Sequence, residues 1–380
     1  MKNFFNNKIN MVLSAVLVLL IIVTAVIFIK TGTGDESSPS TSPAAVQSAS
    51  PEPSVTISTP SPTPTPEPTP TPPPEHMNPL TGLEVDAGKV NARPVAVVMN
   101  NIKQAQPQYG ISEADIIYEV CAEGGITRML ALYQNPDGVG SIGSVRSARP
   151  YFVEIALSHD AIFLHAGGSY QAYDYISING ATALDAITGG YEGSLFWRDR
   201  QRIYSHGYEH SMFTSGQNIA SLFPKYNIRR EHESGYSYEV QFEWEVGLEG
   251  GTQANTVMVE FSGYKTGKFV YDPDTRLYGA WQYGAEHIDA GNNRQVAASN
   301  LLVLFTEERV LDSEGRLAVT LTGTGSGKFF CGGKCVDITW SRPGICDQFR
   351  YYLEDGSPVT FERGKTYVCI IQNGNSVDIE

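Results

Sequence analysis

Residues 140–169 read GSIGSVRSARPYFVEIALSHDAIFLHAGGS, and the order of elements in this stretch decides the fold. Small residues lead into Arg146 and Arg149, and Pro150 then opens a helical pattern reaching about Ser158. Proline suits a first helical turn because the N–H it lacks would have no partner there. Ala161 to Leu164 form an apolar strand that runs into His165-Ala166-Gly167-Gly168-Ser169, and Ser169 is placed to cap a second helix to about Ser177. Helix, strand, glycine loop and helix in succession indicate layered α and β structure.

The same stretch carries the candidate site. Arg146, Ser147 and Arg149 offer fork-shaped and hydroxyl donors suited to phosphate or carboxylate. Gly167 and Gly168 allow close backbone approach, and Ser169 closes the loop. The helix begun by Pro150 adds partial positive charge. His165 and His210 are candidate acid–base groups, with Asp115 and Glu123 as candidate carboxylates. Arg128 and Arg198 are possible further cations. Each of these residues ends an apolar strand or lies on a glycine-rich loop, and such positions converge on the ligand crevice of an open sheet. The bland readings stand beside these: an arginine that only pairs with Asp115, Glu119 or Glu123, and a His165 packed at a strand end.

Toward the N-terminus, Arg93 to Asn101 reads as a buried strand, Ser112 to Asp115 as a capped turn, and Ile116 to Cys121 as a second strand. Glu123-Gly-Gly-Ile-Thr-Arg128 then turns into a third at Met129 to Tyr133. On the C-terminal side, Phe196 to Arg202 gathers arginines, and Thr214 or Ser215 caps a helix through Leu222. From about residue 234 the pattern changes to short alternating units, Tyr238–Val246 among them, separated by turns such as Asp272-Pro-Asp-Thr. The expected class is α+β: a mixed α/β domain over 78–233, then a mostly β domain over 234–380.

Ahead of both lie two further segments. Met11 to Ile29 is an apolar run long enough to cross a ~30 Å hydrocarbon core. Lys2, Lys8 and the amino terminus precede it, against Lys30 alone just after, which places the N-terminus inside and the rest outside. The expectation is a retained single-pass anchor over 1–30, with no cysteine after it for lipid attachment. Residues 31–77, rich in Pro, Ser and Thr, form a disordered linker of polyproline II character.

Composition narrows the partners. A net charge of −14 argues against nucleic acid. The 5 cysteines, in a chain facing outward, lack the paired spacing or histidine partners of a zinc site, so free or partly paired structural cysteines are expected and no metal or cofactor is assigned. Cys331 and Cys335 are close enough in sequence to pair across a tight turn. His206 and His210 are four apart but not in a helical pattern. No serine sits in a Gly-x-Ser-x-Gly elbow, and Thr324 to Lys328 is read as a β-turn instead of a phosphate loop.

Several motifs together resemble the YerB-like family of bacterial cell-envelope proteins. They are NPLTG (78–82), RPVAVVMNN (93–101), ADIIYEV (114–120), EGGITR (123–128), IGSVRSAR (142–149), HAGGS (165–169) and EHSMFTS (209–215). SGKFFCGGK (326–334), ITWSR (338–342) and GKTY (364–367) extend the resemblance through the C-terminal half. It implies a two-part domain of unknown function, usually borne on lipoproteins of Gram-positive bacteria. This chain departs from it in carrying an apolar run in place of a lipidated cysteine, and Glu209-His210-Ser211 where Pro-His-Asn is expected. Two functional classes follow. One is an extracytoplasmic envelope module binding an anionic or glycan ligand, or an envelope protein, in an Arg/Gly/Ser/His cleft. The other is an envelope enzyme acting on phosphate-linked glycopolymers, to which the layout alone is similar through the LytR-CpsA-Psr transferases.

Overall fold

The computed structural model describes residues 74–380. The anchor expected at 1–30 and nearly all of the linker lie outside the described residues. Among those described, no helix is long and apolar enough to cross a membrane.

An 11-stranded mixed sheet runs through the domain. From one edge its order is Thr252–Gln253, Lys334–Arg342, Gly323–Cys331, Asn300–Thr306, Thr366–Gln372, Ile116–Cys121, Thr127–Tyr133, Val95–Asn100, Ile162–His165 and Ala183–Asp185, with Arg350–Tyr352 beside Lys334–Arg342. The central strands are apolar without alternation because both their faces are covered, and every residue of Val95–Asn100, Ile116–Cys121 and Thr127–Tyr133 is buried. On one face, Ala96, Val98 and Phe163 pack under the helix Pro150–Ser158 through Tyr151, Phe152 and Ile155. On the other, the buried cluster that holds Val97, Leu164 and Tyr367 extends into a second, 6-stranded sheet, including Val257, Phe269 and Tyr278. The rings of Phe269 and Tyr367 touch edge to face across that interface at 4.9 Å. The class is therefore α+β, rich in sheet toward the C-terminus.

The sequence division near Ser234 is crossed by the main sheet. Ile116–Cys121 lies parallel to Thr366–Gln372, with Ile117 opposite Tyr367 and Val120 opposite Ile370. The change at 234 is thus one of patterning, and the described chain holds no break between separate sheets there. The physical reason is that Thr366–Gln372 is buried along nearly its whole length, so its backbone groups need strands on both sides.

Most expected elements stand: Val95–Asn100, the helices Pro150–Ser158 and Tyr170–Asn179, and Gly216–Leu222 with Ser215 as its cap. Three differ. The turn at Ser112 is a short 3-10 helix, Ile111–Glu113, entered from Gly110 at φ 74° with no side-chain cap. Of Tyr238–Val246 only Gln241–Glu243 is strand, paired with Thr360–Glu362, because the segment lies at an edge. Thr324 to Lys328 lies inside the strand Gly323–Cys331, not in a turn. Gly325 there faces Trp340, whose indole would stand 2.5 Å from any Cβ, so packing explains that glycine.

All five cysteines are free. Cys331 and Cys335 lie on adjacent strands but pack into opposite faces of the sheet, which prevents a bridge between them.

Buried titratable groups make one pH effect measurable. Burial pushes both His159 and His287 down to about 3. A folded pKa below the unfolded ~6.5 favours the neutral ring, so this stability is complete above pH ~6.5 and is lost as pH falls toward 3. Burial acts oppositely on Asp115, raised to about 6, and on Glu308, raised to about 7, which offset this loss as pH falls below those values. The contribution of one ring emerges by difference. His287→Gln should gain on the wild type by about 1.4 kcal/mol per pH unit between pH 6 and 4. Parallel urea-denaturation curves for the two proteins over that range would contradict it.

Candidate functional site

The site is assembled at the carboxyl ends of the parallel strands Val95–Asn100, Ile162–His165 and Ala183–Asp185. The first two pair directly only from Val95 opposite Ile162 to Val97 opposite Leu164. Beyond that point the segment 145–148 is threaded between them. Arg146 N–H donates to Val98 O at 2.8 Å, and Ala166 N–H donates to Arg146 O at 2.9 Å. Ala148 N–H continues the ladder to Gly167 O at 2.9 Å. The arginine loop is in this way held as an extra strand in the crevice where sheets of this kind bind ligands.

Glu123 organises two arginines. It lies on the Glu123–Gly125 turn, where Gly124 and Gly125 take φ 67° and 74°. One carboxylate oxygen accepts from Arg149 Nε, the other from Arg128 Nη2 at 3.1 Å. Arg128 Nη1 also donates to Ser147 O at 3.2 Å, and Arg149 Nη1 to Ala148 O at 2.7 Å. Arg149 Nη2 has no hydrogen bond within the described residues. Burial pushes the Arg128 guanidinium down to about 10, and the charges of Arg149 and Arg146 add to that while Glu123 opposes it. Burial alone would raise the Glu123 carboxyl, but the Arg149 hydrogen bond and the Arg128 charge hold it below its ordinary range. Arg146 reaches the other way, to the Glu209 backbone at 2.9 Å and its carboxylate at 3.2 Å.

The histidines are held by specific partners. His165 Nδ1–H donates to Gly167 O at 2.8 Å, with Asp185 Oδ1 at 3.7 Å, which leaves Nε2 without a proton in the neutral ring. Burial lowers its pKa, against the Gly167 carbonyl and the Asp185 charge. Asp185 also accepts from Gly167 N–H at 2.7 Å and Tyr173 Oη–H at 2.8 Å, fixing the glycine loop. His210 Nδ1 accepts from Asn100 Nδ2 at 2.8 Å, and its Nε2 lies 3.4 Å from Glu209. Burial first and then the Arg146 charge lower the His210 pKa.

Not every candidate joins the cluster. Asp115 opens the strand Ile116–Cys121, at the end of the sheet opposite Glu123, where it binds Asn78 Nδ2 and Gln134 N–H. One strand length separates the two carboxylates, so Asp115 is corrected out of the site. Ser169 caps the helix Tyr170–Asn179 by accepting from Ala172 N–H at 3.2 Å, and Gly168 bridges to Ala148. Arg198 stacks on the Tyr208 ring, 3.7 Å from its centroid, and faces Glu192 instead of Glu123. His206 Nε2–H donates to Gln106 O at 3.1 Å, apart from His210. Sequence reading missed Asn100 and Asp185. Both end strands, and the rule that strand ends meet at the crevice would have found them.

Concavity points elsewhere than chemistry. A small apolar hollow of about 40 Å³, lined by Leu80, Tyr118, Phe242 and Phe349 among others, lies by the amino end of Ile116–Cys121. It offers aromatic carbon and little charge, whereas the arginine loop concentrates cations at the carboxyl end of the sheet.

The N-terminal domain of a protein of unknown function (DUF3048) matches residues 80–229, and the corresponding C-terminal domain matches residues 257–368. The chain is 30% identical over 310 residues to "Putative lipoprotein YerB" of Bacillus subtilis (strain 168), covering 79% of this chain and 88% of that protein. The chain belongs to the DUF3048, YerB-like family. A crystal structure of the YerB protein from Bacillus subtilis is similar at TM-score 0.69 and 29% identity, over 80% of this chain and 99% of that one. Both DUF3048 domains contribute strands to the one central sheet, the first through Ile116–Cys121 and the second through Asn300–Thr306, with Thr366–Gln372 between them.

Proposed function

We propose that this protein is a membrane-associated, extracytoplasmic envelope protein that binds an anionic ligand, a phosphate- or carboxylate-bearing envelope glycan, at the arginine loop. One observation carries the reading. Arg128 and Arg149 share one partly buried carboxylate, Glu123, at the carboxyl end of the sheet, with the Arg146–Glu209 pair alongside, and Arg149 Nη2 has no hydrogen-bond partner among the described residues. Surplus buried positive charge is costly unless an anion offsets it. The membrane assignment is supported by the apolar run Met11 to Ile29 and by the lipoprotein name of the Bacillus relative.

A second reading, an enzyme acting on phosphate-linked glycopolymers, is favoured by His165. Its Nδ1 is engaged by Gly167 and lies near Asp185, which leaves Nε2 as a base beside the same loop.

Titration of the full-length protein in detergent with inorganic tripolyphosphate tests the site. Arg149→Lys keeps the charge but loses the planar fork, and should weaken binding about ten-fold. Arg146→Ala should weaken it as well. Equal affinity in the wild type and both variants, with circular dichroism unchanged, would make these arginines structural. Appearance of phosphomonoester ends on a phosphate-linked glycopolymer, one P–O bond being hydrolysed per chain cut, would favour the enzyme if it is lost in His165→Gln with binding kept.

A further inference from the structure

We infer that Glu123 is a built-in occupant of the anion site, a latch that an incoming ligand must displace to reach Arg128 and Arg149. This rests on the anion-binding reading above and adds how access to that site is controlled.

Three observations converge. First, the Glu123 carboxylate uses both of its oxygens on the two guanidinium groups that a phosphate or carboxylate would claim. A ligand anion making the same fork contacts cannot coexist with it, because each N–H is directed at one acceptor. Second, the neutralisation is incomplete. One carboxylate faces Arg128 and Arg149 with Arg146 close enough to depress Arg128 further, and Arg128 Nε is buried with no partner. A ligand carrying two or more negative charges satisfies this cluster better than Glu123 does. Third, the carboxylate is mounted on a movable support. Glu123 is followed by Gly124 and Gly125, both at positive φ, and nothing stands within 4 Å of the place a Gly124 side chain would occupy. Gly125 is pinned by Ser262 Oγ–H to its carbonyl at 2.6 Å. The turn thus has a fixed end at Gly125 and open space at Gly124, and Glu123 itself is partly exposed. Ala122 N–H to Ile126 O at 2.7 Å and Ile126 N–H to Glu123 O at 3.4 Å close the turn and report its state.

The chemistry of the ligand follows: a polyanion, able to outcompete one tethered carboxylate, and not a singly charged small acid. Selectivity arises because every ligand must match Glu123 before it gains anything.

The test uses the full-length protein in detergent with inorganic tripolyphosphate as probe. Glu123→Gln retains size and an acceptor oxygen but removes the charge, and should tighten tripolyphosphate binding about ten-fold. Hydrogen exchange of the wild type is the second measurement. Saturating tripolyphosphate should accelerate exchange at the Ala122 and Ile126 amides as the turn opens, while the strands beside it stay protected. Unchanged or weaker binding by Glu123→Gln, with Arg149→Lys still impaired, overturns the latch and leaves the arginine site standing. Absence of tripolyphosphate binding in all variants overturns both. If Glu123→Gln does not fold, the exchange measurement on the wild type decides, and unaltered or slowed exchange at these two amides overturns the latch.

Discussion

Replacing Arg342 by alanine is expected to lower folding stability by about 3–5 kcal/mol, the cost of leaving a buried charge without its partner. Arg342 has no exposed surface. Its Nη1 donates to Glu154 Oε2 at 3.0 Å, its Nη2 to Glu154 O at 2.9 Å, and its Nε to Asp347 O at 2.9 Å. One side chain therefore ties the helix Pro150–Ser158, which follows the arginine loop, to the end of the strand Lys334–Arg342 in the C-terminal half. Burial raises the Glu154 carboxyl pKa against the pull of Arg342, so removing the guanidinium removes what keeps that group charged. Alanine also strands the carbonyls that the guanidinium satisfies. Urea unfolding of the two proteins at pH 7 measures the loss. A difference below 1 kcal/mol would show that water replaces the guanidinium. Pairing Arg342→Met with Glu154→Leu should recover most of the loss, because apolar replacement of both partners avoids the orphaned charge.

A loss of similar size, about 3–5 kcal/mol, is expected for Lys265→Met. Lys265 is 1% exposed and sits between the two DUF3048 parts. Its ammonium donates to Gln282 Oε1 at 2.9 Å, lies 3.6 Å from Glu119 Oε1, and stands over the Tyr283 ring at 4.8 Å. Glu119 is equally buried and also accepts from Asn101 Nδ2 at 2.7 Å, Thr127 Oγ1 at 2.6 Å and Tyr367 Oη at 2.5 Å. Methionine fills the aliphatic volume but leaves Glu119 facing only neutral donors. A double-mutant cycle with Glu119→Gln apportions the effect. The coupling should amount to at least 1 kcal/mol, since the two charges compensate each other in a buried layer. Additive losses would mean that the neutral donors alone stabilise Glu119. Asn101 links this layer to Asn100 and so to His210, so the variant also reports whether the core bears on the ligand end of the sheet.

What the sequence by itself determined was local. The non-alternating apolar runs at 95–100, 116–121 and 162–165 specify strands covered on both faces, Pro150 and Ser169 start their helices, and the motif set specifies the family. These signals are carried by neighbours in the chain, through backbone dihedrals, caps and side-chain periodicity. The tertiary structure alone decided that Thr366–Gln372 lies beside Ile116–Cys121, since strand pairing across such a separation depends on which apolar faces are left to cover. It decided equally that Arg128 and Arg149 share Glu123 while Asp115 sits at the other end of its strand. A list of arginines and carboxylates has no direction in it. The sheet supplies that direction, because a strand places its first and last residues at opposite ends of the molecule, and only one end carries the arginine loop.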